Sequence, residues 1–137
     1  MAGTAGVQPQ LYAADGRAAV RFYLEAFGAS VLHQVGGTDD DPAIVAQLEV
    51  GGGAFWVTSE AAAMGRLSPL TAGSSSCRLL LVVDDPQAVL DTAIAAGASL
   101  KAQLEAGHGW EMGRITDPAG FEWEIGRPTG DWPPPEH

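Results

Sequence analysis

Cysteine and basic residues are scarce in this 137-residue chain, and each scarcity narrows what it can be. Cys77 stands alone, so no disulfide can form within the chain and no thiolate zinc site can be built from it. It begins an apolar run, "CRLLLVV", where a buried, inert thiol is expected. Lys and Arg number only 7 against 17 Asp and Glu, a net charge of −10. That balance argues against nucleic acid and anionic membranes as partners, because both reward cations. No apolar run approaches the roughly 20 residues needed to cross a bilayer. The start, "MAGTAGVQPQ", lacks the basic head and apolar core of a leader, so a cytoplasmic protein is expected. Phosphate-loop, nucleophile-elbow and HExxH patterns are missing too. With 46% hydrophobic and 18% charged residues, the chain is expected to fold, and its length suits one domain across 1–137.

What the chain does contain is a repeat. "FGASV" at 27–31 resembles "AGASL" at 96–100. The spacing that joins Gly28 to Gly97 also joins Asp15 to Asp84, Ala19 to Ala88, Val20 to Val89 and Ala26 to Ala95. Slightly out of phase, Trp56 and Trp123 each follow a glycine, Gly53 and Gly120. Two copies of one supersecondary unit explain this most economically.

Each copy reads strand, helix, then three strands. In the first, "VQPQLYAAD" is a strand and "GRAAVRFYLEAF" a helix with Ala19, Val20, Tyr23 and Phe27 on one face and Gly28 as its stop. Strands "ASVLHQV", "AIVAQLEV" and "AFWVTS" follow, the last two joined by a glycine turn. In the second, strand "CRLLLVV" leads to a helix capped by Asp85 with Pro86 in its first turn. Strands "ASLKAQLE", "WEMGRIT" and "FEWEIG" complete it. The expected architecture is α+β: two βαβββ modules, about 7–58 and 77–127, forming a curved mixed sheet around a cup with helices on the outer face. A linker at 59–76 joins them, with one short helical turn, and an extended Pro-rich tail occupies 128–137.

Alternation sorts side chains between faces. In "DPAGFEWEIGRP", Phe121, Trp123 and Ile125 share one face while Glu122 and Glu124 share the other, where they can hold a metal, bind a ligand or face water. Arg78, Leu80 and Val82 alternate with Cys77, Leu79, Leu81 and Val83. Trp56 and Trp123 are expected in the core beneath the helices. Tyr12, Phe55, Trp110 and Met112 are expected to line the cup, joined by Gln10 and Val57. His33, on a face with Val31 and Val35, reads as a structural histidine. His108, in the loop "AGHGW" beside the cup mouth, is a candidate ligand contact or proton carrier.

The paired modules, with "RFYLEAFGA" early and "GRITDPAGFEWEIGRP" late, resemble the vicinal oxygen chelate superfamily over roughly residues 7–128. That superfamily includes glyoxalase I, extradiol dioxygenases and bleomycin-resistance proteins. The resemblance implies a homodimer whose cup can be shared between chains. It also implies four metal-ligand positions, which fall on Gln8, Gln47, Arg78 and Glu124. Arg78 stands where His is expected, and a guanidinium has no lone pair to donate. The expectation is therefore no cofactor, with Arg78 replacing the metal and forming a bidentate pair with Glu124. Arg78 or Arg114 can also meet a ligand carboxylate or phenolate.

Three functions are compatible. The first is a metal-independent protein binding a hydrophobic or aromatic small molecule, an antibiotic among the candidates. The second is a metal-dependent lyase, isomerase or dioxygenase using Gln8, Gln47 and Glu124. The third is a metal-free enzyme with Glu122 or Glu124 as general base.

Overall fold

The computed structural model describes residues 5–133. Its elements are β1 (Gln10–Ala13), α1 (Gly16–Phe27), β2 (Ser30–Gly36), β3 (Ile44–Val50), β4 (Gly53–Ser59), a 3₁₀ turn (Ala62–Met64), α2 (Pro69–Ala72), β5 (Arg78–Val82), α3 (Pro86–Ala95), β6 (Ser99–Gly107), β7 (Trp110–Thr116) and β8 (Glu122–Pro128). They form two four-stranded sheets of identical topology, β1-β4-β3-β2 and β5-β8-β7-β6. β1 pairs parallel with β4 and β5 with β8, while all other pairings are antiparallel. No helix among the described residues is long and apolar enough to cross a membrane.

The helices begin and end where side-chain chemistry dictates. The Asp15 carboxylate accepts from the Ala18 amide at 3.1 Å, and Gly28 closes α1 at φ 65°, a left-handed conformation that glycine adopts without strain. Asp85 does the same for α3, accepting from the Ala88 amide at 3.2 Å, with Pro86 in the first turn. Helix α1 buries Ala19, Val20, Phe22, Tyr23, Ala26 and Phe27. Helix α3 buries Leu90 and Ala93. An added Cβ at Gly113 would come within 2.6 Å of a Leu90 methyl, so glycine lets α3 approach β7 without displacing that side chain.

Both helices cover the apolar faces of the sheets, which carry Leu48, Val57, Ile115 and Ile125, and they also pack on each other. A shared aromatic cluster joins the modules. Phe55 of β4 lies 5.7 Å from Trp123 of β8, and Tyr23 and Phe27 of α1 lie 5.5 and 4.8 Å from it. At its centre is Asp117, 4% exposed, in the turn before β8. The Tyr23 hydroxyl donates to its Oδ2, as does the Trp123 indole at 2.9 Å. Oδ1 accepts from the amides of Ala119 and Phe121 at 2.9 and 3.0 Å.

Four expectations need correction. Cys77 is exposed and lies just before β5 begins. Val57 is fully buried, Phe55 is buried except where it borders a groove, and Trp56 takes the helix-free face instead. Gly53 already belongs to β4 whereas Gly120 sits in the turn before β8, so equal spacings from them place the two tryptophans on opposite faces. The linker is more structured than expected, with two short helical turns. The tail bends after Pro128 and returns Trp132 to the ring of Trp110, 5.2 Å away, and its last prolines lie outside the described residues.

Burial, then the Asp117 charge, pushes the Tyr23 phenol well above its ordinary range. A raised folded pKa favours folding while the phenol stays protonated. Stability from this group is therefore complete below about pH 10 and declines as pH rises toward the folded value. Tyr23→Phe should lose about 1.5–3 kcal/mol at neutral pH, the worth of a hydrogen bond to a charged acceptor. It should also show a smaller loss of stability above about pH 10 than the parent. Denaturant unfolding at pH 7 and in alkali measures both effects.

Candidate functional site

The faces opposite the helices carry the polar side chains. On the first sheet, cross-strand neighbours form a row: Gln10 beside Trp56, Trp56 beside Gln47, and Gln47 beside His33. The next row runs Tyr12, Thr58, Val45 and Val35. Gln8, just before β1, ties the first row together. Its Oε1 accepts from the Trp56 indole at 2.8 Å and from the Gln47 amide at 2.9 Å. A bulge between Val31 and His33 breaks the alternation of β2 and brings His33 onto this face, its ring 6.5 Å from Trp56. His33 is thus an exposed member of the site face, not the structural histidine expected. Tyr12 lies under the Arg66 guanidinium, 5.9 Å from ring centre to charge centre.

The second sheet carries charge. One row runs Arg78, Glu122, Thr116 and Ser99, and the next Leu80, Glu124, Arg114 and Ala102. Arg78 Nε donates to Glu122 at 3.2 Å, and its terminal nitrogen reaches Glu124 at 3.7 Å. The expected pair with Glu124 alone is therefore a fork across both carboxylates. The parallel register explains it, since Arg78 lies directly opposite Glu122 and one step diagonal to Glu124. All three side chains are about a third to a half exposed, so the fork orders charge and adds little to stability. Met112 lies opposite Gly126 on the same face. Trp110 is partly exposed, with its ring 5.2 Å from that of Trp132. His108 sits at the tip of the β6–β7 hairpin with φ 53°, exposed.

A groove of about 680 Å³ runs between the modules, where residues 6–9 face β5. Gln8, Pro9, Leu80, Val82 and the buried rings of Phe55 and Trp123 line it. Leu80 and Val82 are half exposed on β5, an edge strand paired only with β8. Val57 is fully buried and reaches neither groove nor open face.

The four positions implied for a metal do not fit one. Gln8 spends both lone pairs of its amide oxygen on Trp56 and Gln47. Arg78 offers only donors, and Glu124 is the single anion. Among the described residues, no three His, Cys, Asp or Glu side chains gather closely enough to hold an ion. Trp56, His33 and Arg66 belong to the site face but were not legible as such. The bulge and the linker conformation that place His33 and Arg66 have no periodic signal.

A family model described as a glyoxalase-like domain matches residues 9–126. An uncharacterized protein of Mycobacterium bovis is 31% identical over 127 residues, which span 90% of this chain and 83% of that one. Protein PA1353 from Pseudomonas aeruginosa superposes with a TM-score of 0.72 at 21% identity, covering 91% of this chain and 98% of that chain. A glyoxalase/bleomycin resistance protein/dioxygenase family enzyme from Burkholderia phytofirmans gives 0.62 at 21% identity, covering 86% and 94%. Topology, repeat and matched span agree: the chain belongs to the glyoxalase-like domain family, within the vicinal oxygen chelate superfamily.

Proposed function

We propose that this protein is a metal-independent, cytoplasmic binder of hydrophobic or aromatic small molecules, of the glyoxalase/bleomycin-resistance type. Sequestration of an antibiotic is the setting that this type of protein suggests. One observation carries the reading: a guanidinium forks between Glu122 and Glu124 at the position where metal-binding members keep imidazole. It neutralises the carboxylates that would otherwise attract a cation, and it repels any metal cation that approaches. The ligand surface is then the Trp56–Tyr12 face together with the apolar groove walls at Leu80 and Val82. This mix of rings, amides and a few charges suits a planar organic molecule.

We further infer a homodimer in which the partner covers part of this surface. The support is apolar side chains left exposed on sheet edges: Val31, Leu32 and Val35 on β2, and Leu80 and Val82 on β5.

Protein purified without chelator should carry no stoichiometric divalent metal by elemental analysis, and added Zn²⁺ or Ni²⁺ should leave its melting temperature unchanged. The Gln47→Glu/Arg78→His double variant restores an anion and an imidazole, and it should acquire a metal-dependent thermal shift. A stoichiometric ion in the parent protein would overturn the reading in favour of a metal-dependent enzyme. Light scattering should give twice the chain mass, falling to the monomer value in Leu80→Lys. A monomeric parent at all concentrations would remove the dimer.

A further inference from the structure

We propose that Arg66 and Tyr12 form an anion-recognising corner of the ligand site, selecting planar aromatic ligands that bear a carboxylate. The inference rests on the binder reading above and gives its ligand a chemical class.

Arg66 belongs to the linker between the modules, yet it is not on a loose loop. Its backbone pairs both ways with Ala61, at 2.8 and 3.1 Å, closing a tight turn. The next segment is pinned by Ser68 and Thr71. Both hydroxyls donate to Glu60, and Ser68 is fully buried. The guanidinium is therefore delivered from an anchored backbone to a defined place over the Tyr12 ring. At 5.9 Å from the ring centre the guanidinium is within cation–π reach of Tyr12, and its N–H donors remain free for a planar, two-oxygen acceptor.

Charge pairing leaves Arg66 available. Arg17, Arg78 and Arg127 meet a carboxylate within 4 Å, whereas Arg21, Lys101 and Arg114, like Arg66, meet none among the described residues, and of these four it is Arg66 that lies over an aromatic ring. Among the described residues Arg66 has no such partner, and the nearby Glu60 has committed its oxygens to the two hydroxyls. A ligand carboxylate supplies the missing partner.

The aromatic half of the ligand follows from the same face. Tyr12 is two residues along β1 from Gln10, which lies opposite Trp56, so the two side chains are diagonal neighbours on one face. The hydrogen bond from Trp56 to Gln8 fixes the indole, giving a rigid wall. A ring laid along Trp56 and Tyr12 would present its carboxylate to Arg66.

The test uses 1-naphthoate and its neutral isostere 1-naphthamide as probes, read by tryptophan quenching on the full chain. The parent protein should bind the acid about tenfold more tightly than the amide, the scale of one charge-assisted contact. Arg66→Gln should bring the two affinities together by weakening only the acid, Arg66→Lys should restore part of the preference, and Arg114→Gln should keep it. Equal binding of acid and amide by the parent would overturn the Arg66 assignment and leave the binder reading standing. So would a preference that survives Arg66→Gln and disappears in Arg114→Gln. Failure of the parent to bind either probe would count against the binder reading itself and take this inference with it.

Discussion

The buried carboxylate of Asp117 is the contact on which the two halves of this protein depend. Each sheet completes its backbone pairing internally, so no strand-to-strand hydrogen bond joins the modules among the described residues. Side chains must do it. Asp117 takes a phenol from α1 of the first module, an indole from β8 of the second, and two amides of its own turn. Burial raises its pKa despite those four donors, so desolvation outweighs them. A carboxylate this well surrounded is costly to leave unmatched, which makes the geometry of the junction specific. The aromatic cluster around it supplies the apolar contact, and Asp117 supplies the direction.

Much of this was legible beforehand. Helix α1 falls on the residues its periodicity marked, with Gly28 as its stop, Asp85 caps α3 as expected, and β7 matches its expected span. The repeat predicted the identical topology of the sheets. The misreadings have two causes, and the first is that the two copies are not in step. Trp56 and Trp123 sit at similar distances from a glycine yet point to opposite sides. The bulge that redirects His33 and the turn that carries Arg66 are single-residue features with no periodicity to betray them. The role of Asp117 was not legible, because alternation says nothing about a carboxylate buried at a strand's entrance.

The site follows a simple electrostatic logic. Two carboxylates on one strand face repel each other and invite a cation. In this chain the cation is covalent: Arg78 reaches both from the neighbouring strand. On the first sheet the amide that might have joined a coordination sphere is instead an acceptor for an indole and a second amide. Each module has thus satisfied its polar groups internally, leaving rings, aliphatic edges and a few donors for an incoming molecule.

That separation gives one fold two chemistries. The chain carries the βαβββ arrangement twice, yet its two helix-free faces differ. One carries glutamine, tryptophan, tyrosine and histidine, with Arg66 reaching over it from the linker, while the other is built from paired arginine and glutamate. Because no backbone pairing fuses the sheets among the described residues, the two surfaces can differ while the junction stays intact. The division of chemical labour is written into the symmetry it breaks.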